Sequence, residues 1–321
     1  MLEFAQLAAE FSNRFQKKHF PSDPPALYGA AEYFLGIGGK RVRPVLCLMG
    51  NELFGDIHED AWQAAMAIEL FHNFTLIHDD IMDKAPVRRG VQTVHQKFGD
   101  ATALLAGDVM LVVAYDYLNK IHASFLARIL HLFNKTAKEV CEGQQLDMEF
   151  EKRERVSFEE YLHMITLKTS VLLAASLRMG AVIGGGSEGN QQHLYEFGKN
   201  LGMAFQVQDD YLDAFGDPAK FGKQPGGDIL ANKKTFLHIM AMEKASPLQL
   251  ENLQELAASS KADKVQRTLE IYSACGVNQE AIYLKEKYLS QALYHLDSIA
   301  VLNIRKEPLK RLAAFLIQRE Y

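Results

Sequence analysis

The sequence predicts an all-α protein, and three observations point to that class. Hydrophobic residues make up 48% of the 321-residue chain, which is enough for a substantial core. The chain has only nine prolines, and few of its runs alternate apolar β-branched with polar residues as strands do. No Pro/Ser-rich linker, charge block or internal repeat divides it. We therefore expect one domain over residues 1–321, a single large bundle of roughly ten or more helices.

Proline, glycine and aspartate residues predict where the first helices begin and end. Pro24-Pro25 is expected to open one helix, because proline suits the first helical turn. Gly38-Gly39 is expected to break the chain after that helix. Asp100 is expected to cap a long helical run that ends near Lys120. These signals divide the first third of the chain into successive helices joined by short loops.

Helix signals of the same kind continue to the C-terminal part. Capping boxes are predicted at Ser157 with Glu160 and at Ser246-Pro247 with Gln249. Gly184-Gly185-Gly186 is expected to end a helix, because glycine adopts the left-handed conformation found after a last helical turn. No pair of strands is predicted anywhere in the chain.

Charge and cysteine content narrow the possible functions. The chain carries 35 Lys and Arg residues against 40 Asp and Glu residues, for a net charge of −5. Its basic residues are scattered rather than arranged in a stripe, so no nucleic-acid partner is expected. Cys47, Cys141 and Cys275 form an odd set without a CxxC pair. They are expected to be buried thiols in a reducing cytosol, which predicts a cytoplasmic protein.

No targeting segment or membrane span is expected. Acidic residues lie among the apolar residues of the N-terminus, and no small-residue cleavage site follows, so we expect an amphipathic helix rather than a signal peptide. Asp108 interrupts the apolar stretch 101–115, and Arg178 interrupts 170–183. Both stretches are therefore expected to be unsuitable as spans of ~20 residues, and the chain is expected to be soluble.

Two aspartate clusters of one design are the most informative feature. They are Asp79-Asp80-Ile81-Met82-Asp83, the first aspartate motif, and Asp209-Asp210-Tyr211-Leu212-Asp213, the second aspartate motif. On a helix, positions i and i+4 share one face, so each motif presents its first and last carboxylates together. We expect the two motifs to face each other across a cavity.

Carboxylates gathered in this way need cations. Two like charges ~4 Å apart repel by about 4 kcal/mol near a protein surface. Oxygen ligands without His or Cys suit Mg²⁺, which bridges protein carboxylates to substrate phosphates. The motifs therefore predict magnesium and a diphosphate substrate.

The surroundings of both motifs indicate an amphiphilic substrate. Apolar helical segments, 69–78 and 202–208, lead directly into them. An acidic cluster at the end of an apolar shaft suits a charged head with a hydrocarbon tail, whereas a sugar or nucleotide needs a more polar lining. Arg88-Arg89-Gly90 follows the first motif closely enough to fold back over a phosphate bound there. The alternative is a solvated loop whose arginines point outward.

Together these segments resemble a known family, the head-to-tail trans-isoprenyl diphosphate synthases. The resemblance runs from about residue 36 to 236 and includes Gly38-Gly39-Lys40-Arg41-Val42-Arg43-Pro44 together with both aspartate motifs. It implies the isoprenoid synthase fold, an all-helical bundle around a central cavity, usually in a homodimer. It also implies roughly three Mg²⁺ per active site, replaceable by Mn²⁺, with Asp79, Asp83 and Asp209 as ligands.

The resemblance also implies roles for individual side chains. Isopentenyl diphosphate is expected to be bound by Lys40, Arg43, His72 and Arg89. The allylic diphosphate is expected to be bound by Arg88, Lys168, Lys223 and Lys233. Thr169, Phe205 and Gln206 are expected beside the reacting allylic carbon, and Asp80, Asp210 and Asp213 are expected to take part in catalysis. Asp228 falls near the second motif, and Gly143-Gln144-Gln145-Leu146-Asp147 also resembles a family segment.

The implied reaction condenses isopentenyl diphosphate with a C5 to C15 allylic diphosphate. An allylic carbocation forms as diphosphate leaves, and metals and basic side chains stabilise the departing anion. Water must be excluded because it would capture the cation. The departing diphosphate is expected to accept the proton lost at the end, since no His or Glu is an obvious base.

Aromatic residues before the first motif are expected to set product length. Phe74 and Thr75, five and four residues before Asp79, resemble the geranylgeranyl (C20) pattern, with farnesyl (C15) next. Phe71 and Phe74 are expected to form the floor of the hydrocarbon pocket. The alternative is that both are core aromatics packed against another helix.

Other interpretations remain open for the site and for the whole chain. His72 on an apolar helix also suits a core histidine, Lys168 a snorkelling lysine, and Gln206 a link between helices. A class I terpene cyclase shares the ionisation step, but this chain has a full second DDxxD and basic residues for a second diphosphate. A non-catalytic regulatory subunit would keep the fold. A requirement for isopentenyl diphosphate and activity of the chain alone discriminate these alternatives.

Overall fold

The computed structural model describes residues 1–216, 226–259 and 262–318, and their regular secondary structure is almost entirely helical. The predicted all-α class is confirmed. In chain order the helices are α1 (Phe4–Phe15), α2 (Pro25–Gly36), α3 (Val42–Glu52), α4 (Glu59–Met82), α5 (Val94–Phe98), α6 (Asp100–Leu118), α7 (Ala123–Glu151), α8 (Phe158–Ile165), α9 (Val171–Ile183), α10 (Glu188–Phe215), α11 (Gly227–Leu230), α12 (Phe236–Lys244), α13 (Pro247–Ala258), α14 (Lys264–Ala274), α15 (Val277–Asp297) and α16 (Asn303–Gln318). A π-helical turn, Thr166–Ser170, joins α8 to α9.

Both predicted capping boxes are present. Ser157 Oγ accepts a hydrogen bond from the Glu160 backbone N–H at 3.2 Å, and the Glu160 carboxylate accepts one from the Ser157 N–H at 2.9 Å. Ser246 and Gln249 form the same reciprocal pair at the start of α13. Such caps satisfy N–H groups that the first helical turn leaves without intrahelical partners, so a short local sequence determines where the helix begins.

The start of α6 differs from the prediction. Asp100 is the first residue of the helix rather than its cap, and Gly99 occupies the cap position with φ +85°. That conformation favours glycine, because other residues meet steric hindrance there. The Asp100 carboxylate still lies at the positive end of the helix dipole, where negative charge is favourable.

A short β-hairpin corrects the prediction of no strands. Val87–Arg88 (β1) pairs antiparallel with Val91–Gln92 (β2), and the turn residues Arg89 and Gly90 have φ of +52° and +79°. Positive φ at both central residues is typical of the type I′ turn that suits two-residue hairpin loops. Strands of two residues are too short for an alternating pattern, which explains why sequence periodicity did not predict them.

The residues form two compact units, each built from several stretches of chain. The first contains Met1–Lys135, Ala175–Leu194 and Ile299–Leu309, and the second contains Thr136–Ala174, Tyr195–Ser298 and the chain from Lys310. In the first unit α4 packs against α3 and α6. A Cβ on Gly180 of α9 would lie only 1.9 Å from the Cys47 carbonyl oxygen of α3, so these helices pack backbone to backbone.

The core of the second unit includes one side of α10, the helix that carries the second aspartate motif. Tyr161 of α8, Val207 of α10 and Phe236 of α12 are buried together in it. Aromatic and aliphatic side chains from these helices exclude water on the inner side of α10. The polar groups that the motif directs into this core therefore need hydrogen-bond partners within the protein.

Two helical segments are long and apolar enough to cross a membrane on length and composition alone. They are Asp100–Leu118 and Phe158–Ile183, which include the two apolar stretches that contain Asp108 and Arg178. The second segment is 72% buried within the protein, as expected for a core helix. Helix α6 is 39% buried in the same measure and exposes Leu104, Leu105 and Val112.

Candidate active site

The first aspartate motif lies at the C-terminal end of α4. Asp79 and Asp80 belong to its last turn, and Asp83 is the capping residue. The carbonyl end of a helix carries partial negative charge, which makes it an unfavourable place for three carboxylates. The sequence therefore places acids where the helix itself adds to their need for a cation.

Arg88 supplies positive charge to this motif. Its Nε donates to both carboxylate oxygens of Asp80 at 2.9 Å, and its Nη2 donates to Asp79 Oδ2 at 3.3 Å. Burial raises the pKa of Asp80 above its usual value, while the hydrogen bond and charge of Arg88 act to lower it. Arg88 thus folds back onto the motif, and the solvated-loop alternative is wrong for this residue.

The hairpin turn explains how two neighbouring arginines reach different places. Arg88 ends β1 beside the aspartates, whereas Arg89 lies in the turn. A Cβ on Gly39 would come within 3.0 Å of Arg89 Nη1, so the guanidinium lies against the glycine loop that precedes Lys40. Glycine at position 39 leaves the room that this contact needs.

A basic cluster forms around His72. Arg43 Nη1 lies 3.0 Å from His72 Nε2. Burial and the charges of Arg43 and Arg89, with smaller effects from Arg88 and Arg41, hold the pKa of His72 well below its usual range. The ring is therefore neutral, and its Nε2 accepts the hydrogen bond from Arg43. Arg43, His72 and Arg89, predicted from the sequence to share a site, are brought together, and the positive charge around them suits an anion.

In the ligand-free protein we expect His72 to remain neutral as the pH falls through 6.5, the ordinary histidine pKa. The cause is the low pKa that burial and the arginines impose. The unfolded chain takes up this proton and the folded chain does not, so His72 lowers the free energy of unfolding below about pH 6.5. NMR titration of the ring, assigned with a His72→Gln variant, measures the pKa. A midpoint near 6.5 would contradict the prediction.

An ion pair that sequence reasoning missed supports the glycine loop. Arg41 has a left-handed backbone, φ +54°, and its guanidinium pairs with Glu69 of α4. Asn73 Nδ2 donates to Glu69 Oε1 at 3.1 Å, and the Arg41 guanidinium lies over the Phe15 ring at 4.8 Å. Both charged side chains are nearly buried, with 9% and 5% of their surface exposed. A glutamate in an otherwise apolar helical stretch was the available signal, because a buried charge needs a partner.

The second aspartate motif lies in the last two turns of α10. Asp210 is buried, and both its oxygens accept hydrogen bonds, from Gln206 Nε2 at 3.0 Å and from Tyr161 Oη at 2.6 Å. Asp213 Oδ2 accepts from the Asp228 backbone N–H at 3.0 Å, which ties the start of α11 to the motif. Asp228, predicted to fall near this motif, is therefore part of it in space.

Burial and neighbouring carboxylates raise the pKa values of Asp210 and Asp228 in the second unit. Burial and the charge of Asp213 are the largest causes that raise the pKa of Asp228 to about 6, with Asp147 and Asp209 adding to the effect and Lys233 opposing it. Burial and the charge of Asp228 raise the pKa of Asp210 to about 7. Because neighbouring carboxylates make Asp210 and Asp228 harder to ionise, this cluster suits a cation.

The donor set also suits magnesium that shares its ligands with substrate. Among the described residues, no three His, Cys, Asp or Glu side chains are close enough to hold a metal ion by themselves. Mg²⁺ commonly takes one or two protein carboxylates and completes its shell with water and phosphate oxygens. The aspartate motifs therefore fit Mg²⁺ bound together with a diphosphate.

A polar cavity of about 100 Å³ opens beside the second motif. Acidic and basic side chains line it together, and they are Asp147, Asp210, Asp228, Lys168, Lys233 and Lys234. Lys168 Nζ donates to Asp147 Oδ2 at 2.6 Å. The predicted residues Thr169 and Gln206 line the same cavity, whereas Lys223 lies outside the described residues. Lysines that converge with carboxylates in this way suit a diphosphate and its counter-ions.

The π-helical turn presents Lys168 and Thr169 to this cavity. π-Turns are rare and are frequent at functional sites. A Cβ on Gly143 of α7 would lie 2.3 Å from the Lys168 backbone nitrogen, and a Cβ on Gly202 of α10 would lie 2.7 Å from the Ser170 Cα. Both helices therefore pack directly on the turn. The segment 143–147 contacts Lys168 twice, through Gly143 and through the Asp147 ion pair.

The aromatic residues before the first motif form a continuous row of contacting rings, the aromatic row. The Phe74 ring lies 5.7 Å from Phe71 and 4.7 Å from His78, between centroids, and Phe71 packs edge-on against Phe133 of α7. Phe71 is 1% exposed, as expected for a core aromatic, whereas Phe74 is half-buried. Thr75 Oγ1 donates to the His72 carbonyl oxygen at 2.8 Å. Phe71 therefore supports Phe74 from the core.

Known proteins resemble this chain over nearly its whole length. The sequence profile of the polyprenyl synthetase family matches residues 24–275. A geranylgeranyl diphosphate synthase of Methanosarcina mazei is 38% identical over 93% of this chain and 91% of its own length. A geranylfarnesyl diphosphate synthase of Natronomonas pharaonis is 34% identical over 93% and 91%. A crystal structure of a geranylgeranyl pyrophosphate synthase superimposes with a TM-score of 0.94, 40% identity and full coverage of both chains. The chain thus belongs to the polyprenyl synthetase family and is a prenyltransferase.

Proposed function

We propose that this enzyme condenses isopentenyl diphosphate with an allylic diphosphate to give geranylgeranyl diphosphate. The observation that carries the proposal is the cavity beside the second motif, where carboxylates with raised pKa values and three lysines converge. Such a lining complements a diphosphate that arrives with Mg²⁺. The basic cluster around His72 supports a second diphosphate site, because several arginines there surround a neutral ring.

Basic side chains stabilise the leaving group in this proposal. Lys168 and Lys233, which line the cavity beside the second motif, and Arg88, which pairs with the first motif, would stabilise the negative charge that develops as the allylic C–O bond breaks. Asp79, Asp83 and Asp209 are the residues that would hold Mg²⁺, whose charge would further stabilise the diphosphate. Thr169 and Gln206 present oxygen atoms that tolerate a neighbouring cation without forming a bond to it. The cation must be protected from water, which would otherwise capture it.

The basic cluster orients the second substrate. Arg43 and Arg89 bind the diphosphate of isopentenyl diphosphate. Neutral His72 accepts a hydrogen bond from the Arg43 guanidinium and so holds it in position. Lys40 follows the glycine loop that packs on Arg89. Correct placement of the double bond converts the condensation into an effectively intramolecular step. The departing diphosphate then accepts the proton that the product loses.

The C20 product is supported by relatives and by the aromatic row before the first motif. The Methanosarcina mazei relative is named for a C20 product, whereas the Natronomonas pharaonis relative is named for C25. The half-buried Phe74 ring packs against Phe71, which itself packs against Phe133. Phe74 therefore blocks a growing prenyl chain that reaches it. Farnesyl diphosphate is the second candidate product.

Replacing Phe74 with alanine is expected to lengthen the main product by about one C5 unit, because the floor of the pocket is removed. Product lengths from isopentenyl diphosphate and a C15 primer, separated by chromatography after dephosphorylation, measure the effect. Phe125→Ala is the matched control, since Phe125 is also half-buried but packs edge-on against His58. An unchanged distribution in Phe74→Ala would exclude Phe74 from the floor.

We further propose a cytoplasmic homodimer that uses the exposed face of α6. Leu104, Leu105 and Val112 are 49%, 55% and 60% exposed on one side of this helix. Apolar side chains grouped on a surface helix indicate an interaction site. Sedimentation equilibrium at twice the chain mass would support the dimer, and a monomer at micromolar concentration would contradict it.

The proposed reaction is tested with the purified chain alone. Isopentenyl diphosphate, Mg²⁺ and a C5, C10 or C15 allylic diphosphate are supplied separately, and the prenyl products are identified. Geranylgeranyl diphosphate formed only when both substrates are present would support the proposal. A cyclised hydrocarbon made without isopentenyl diphosphate would indicate a terpene cyclase. Inactivity that a partner chain restores would indicate a regulatory subunit.

A further inference from the structure

A continuous chain of hydrogen bonds leads from the core of the second unit to the cavity. Tyr161 Oη donates to Asp210 Oδ2 at 2.6 Å, and Gln206 Nε2 donates to Asp210 Oδ1 at 3.0 Å. Thr169 Oγ1 donates to Gln206 Oε1 at 3.0 Å. The backbone N–H of Phe236 also donates to Asp210 Oδ2, at 3.3 Å. All four side chains in the series border the cavity.

These contacts determine which way the Gln206 amide points. The NH₂ group of an amide donates and its oxygen accepts, so the nitrogen lies toward the Asp210 carboxylate and the oxygen toward Thr169. Reversing the amide would place two acceptors against each other at Asp210 and would leave the nitrogen facing the Thr169 hydroxyl. Asp210 therefore acts as the orienting group for Gln206.

Asp210 is itself held from the core side. Tyr161 is 1% exposed and belongs to the hydrophobic cluster of the second unit, so its side chain is almost fully buried. Its short hydrogen bond fills one side of Asp210 Oδ2, and the Phe236 N–H fills another. With both carboxylate oxygens engaged inside the protein, Asp210 differs from Asp209, whose side chain is partly exposed.

We propose that Tyr161 is a positioning residue, which acts through Asp210 to hold the oxygen of Gln206 toward Thr169 and the allylic carbon. This inference rests on the proposed condensation. It gives two aspartates of the second motif different roles, because Asp210 orients a neighbouring side chain whereas Asp209 would hold a cation. Preorganised oxygen dipoles stabilise a developing cation without reorganisation, so loss of their alignment slows ionisation.

The test is a double-mutant cycle between Tyr161 and Gln206 in the full-length enzyme. Tyr161→Phe removes one hydroxyl and keeps the ring, and it is expected to lower kcat about tenfold. The KM values for both diphosphates should stay within about twofold, because the groups that bind them are untouched. Gln206→Met is expected to lower kcat about a hundredfold. In the Gln206→Met background, Tyr161→Phe should cause little further loss.

The outcomes separate positioning from simple structural support. Loss of the Tyr161→Phe effect in the Gln206→Met background supports the proposal, because the tyrosine then acts through the amide. An undiminished tenfold loss in that background overturns it, as does a wild-type kcat in Tyr161→Phe. Tyr272→Phe is the matched control: Tyr272 is buried in the same core, contacts His238 and should keep full activity.

A second pair keeps the test decisive if Tyr161→Phe folds poorly. Asp210→Asn disturbs the same series from its centre and should also lose most of its effect in the Gln206→Met background. An effect of full size there overturns the proposal, because Asp210 would then act independently of Gln206. Failure of the proposed condensation is recognised separately, since the wild-type enzyme would then form no prenyl diphosphate from the two substrates.

Discussion

Replacing Asp79 or Asp209 with alanine is expected to reduce turnover by about two to three orders of magnitude while leaving the fold intact. Groups that stabilise charge in the transition state contribute several kcal/mol to rate enhancement, and each 1.4 kcal/mol corresponds to about tenfold. Each aspartate is the first residue of its motif, at the C-terminal end of α4 or in the last turns of α10. Both side chains are partly exposed, so truncation opens no core cavity.

Steady-state kinetics with saturating Mg²⁺ and both substrates measures this loss, and thermal unfolding followed by circular dichroism checks the fold. Asp116→Ala is the matched control, because Asp116 is an exposed aspartate on α6 that belongs to neither motif. Its turnover should equal that of the wild type. Near-normal activity in both motif variants would reject the proposed role of the aspartates in holding a metal.

Gly143→Ala is expected to reduce activity about a hundredfold and to lower the free energy of unfolding by about 1–3 kcal/mol. The added Cβ would lie 2.3 Å from the Lys168 nitrogen and 2.7 Å from its Cα, so α7 or the π-helical turn must move. That turn carries Lys168 and Thr169, and a displacement of about 1 Å of catalytic groups costs about a hundredfold in rate. The stability loss follows from overpacking the contact.

The control for this substitution is Gly29→Ala in α2, where nothing lies within 4 Å of the added Cβ. Alanine is a better helix former than glycine, so this variant should be more stable by up to about 1 kcal/mol and fully active. Urea unfolding and turnover, measured on both variants, test the expected changes in stability and activity. Wild-type turnover in Gly143→Ala would show that the close approach of α7 does not position the turn.

Helix ends and motif faces were predictable because their causes are local. The capping boxes at Ser157 and Ser246 form from residues three apart. Proline at position 25 opens α2 because its ring fixes φ at a value that suits the first helical turn. The i, i+4 spacing of the aspartates likewise follows from helical geometry alone. The resemblance to a family added the expectation that Arg43 and His72 belong to one site, and their side chains lie 3.0 Å apart in the structure.

Partners that meet only in the folded chain could not be predicted in this way. Arg41 and Glu69 are 28 residues apart, and their ion pair depends on how α3 packs beside α4. Tyr161 and Asp210 are 49 residues apart, and nothing in the sequence near either residue indicates the other. The hairpin at Arg88 depends on two consecutive positive φ values in a segment too short for a periodic signal.

The amino-acid sequence by itself determined the helical class, the positions of the acidic and basic motifs and the family to which the chain belongs. Those properties depend on the order of residues along one helix or one loop. Only the tertiary structure decided that Arg88 binds the first aspartate motif, that Gly143 packs on Lys168, and that Tyr161 holds Asp210. The physical reason is that hydrogen bonds and close packing act over a few ångströms in space, and separation along the chain does not encode those distances.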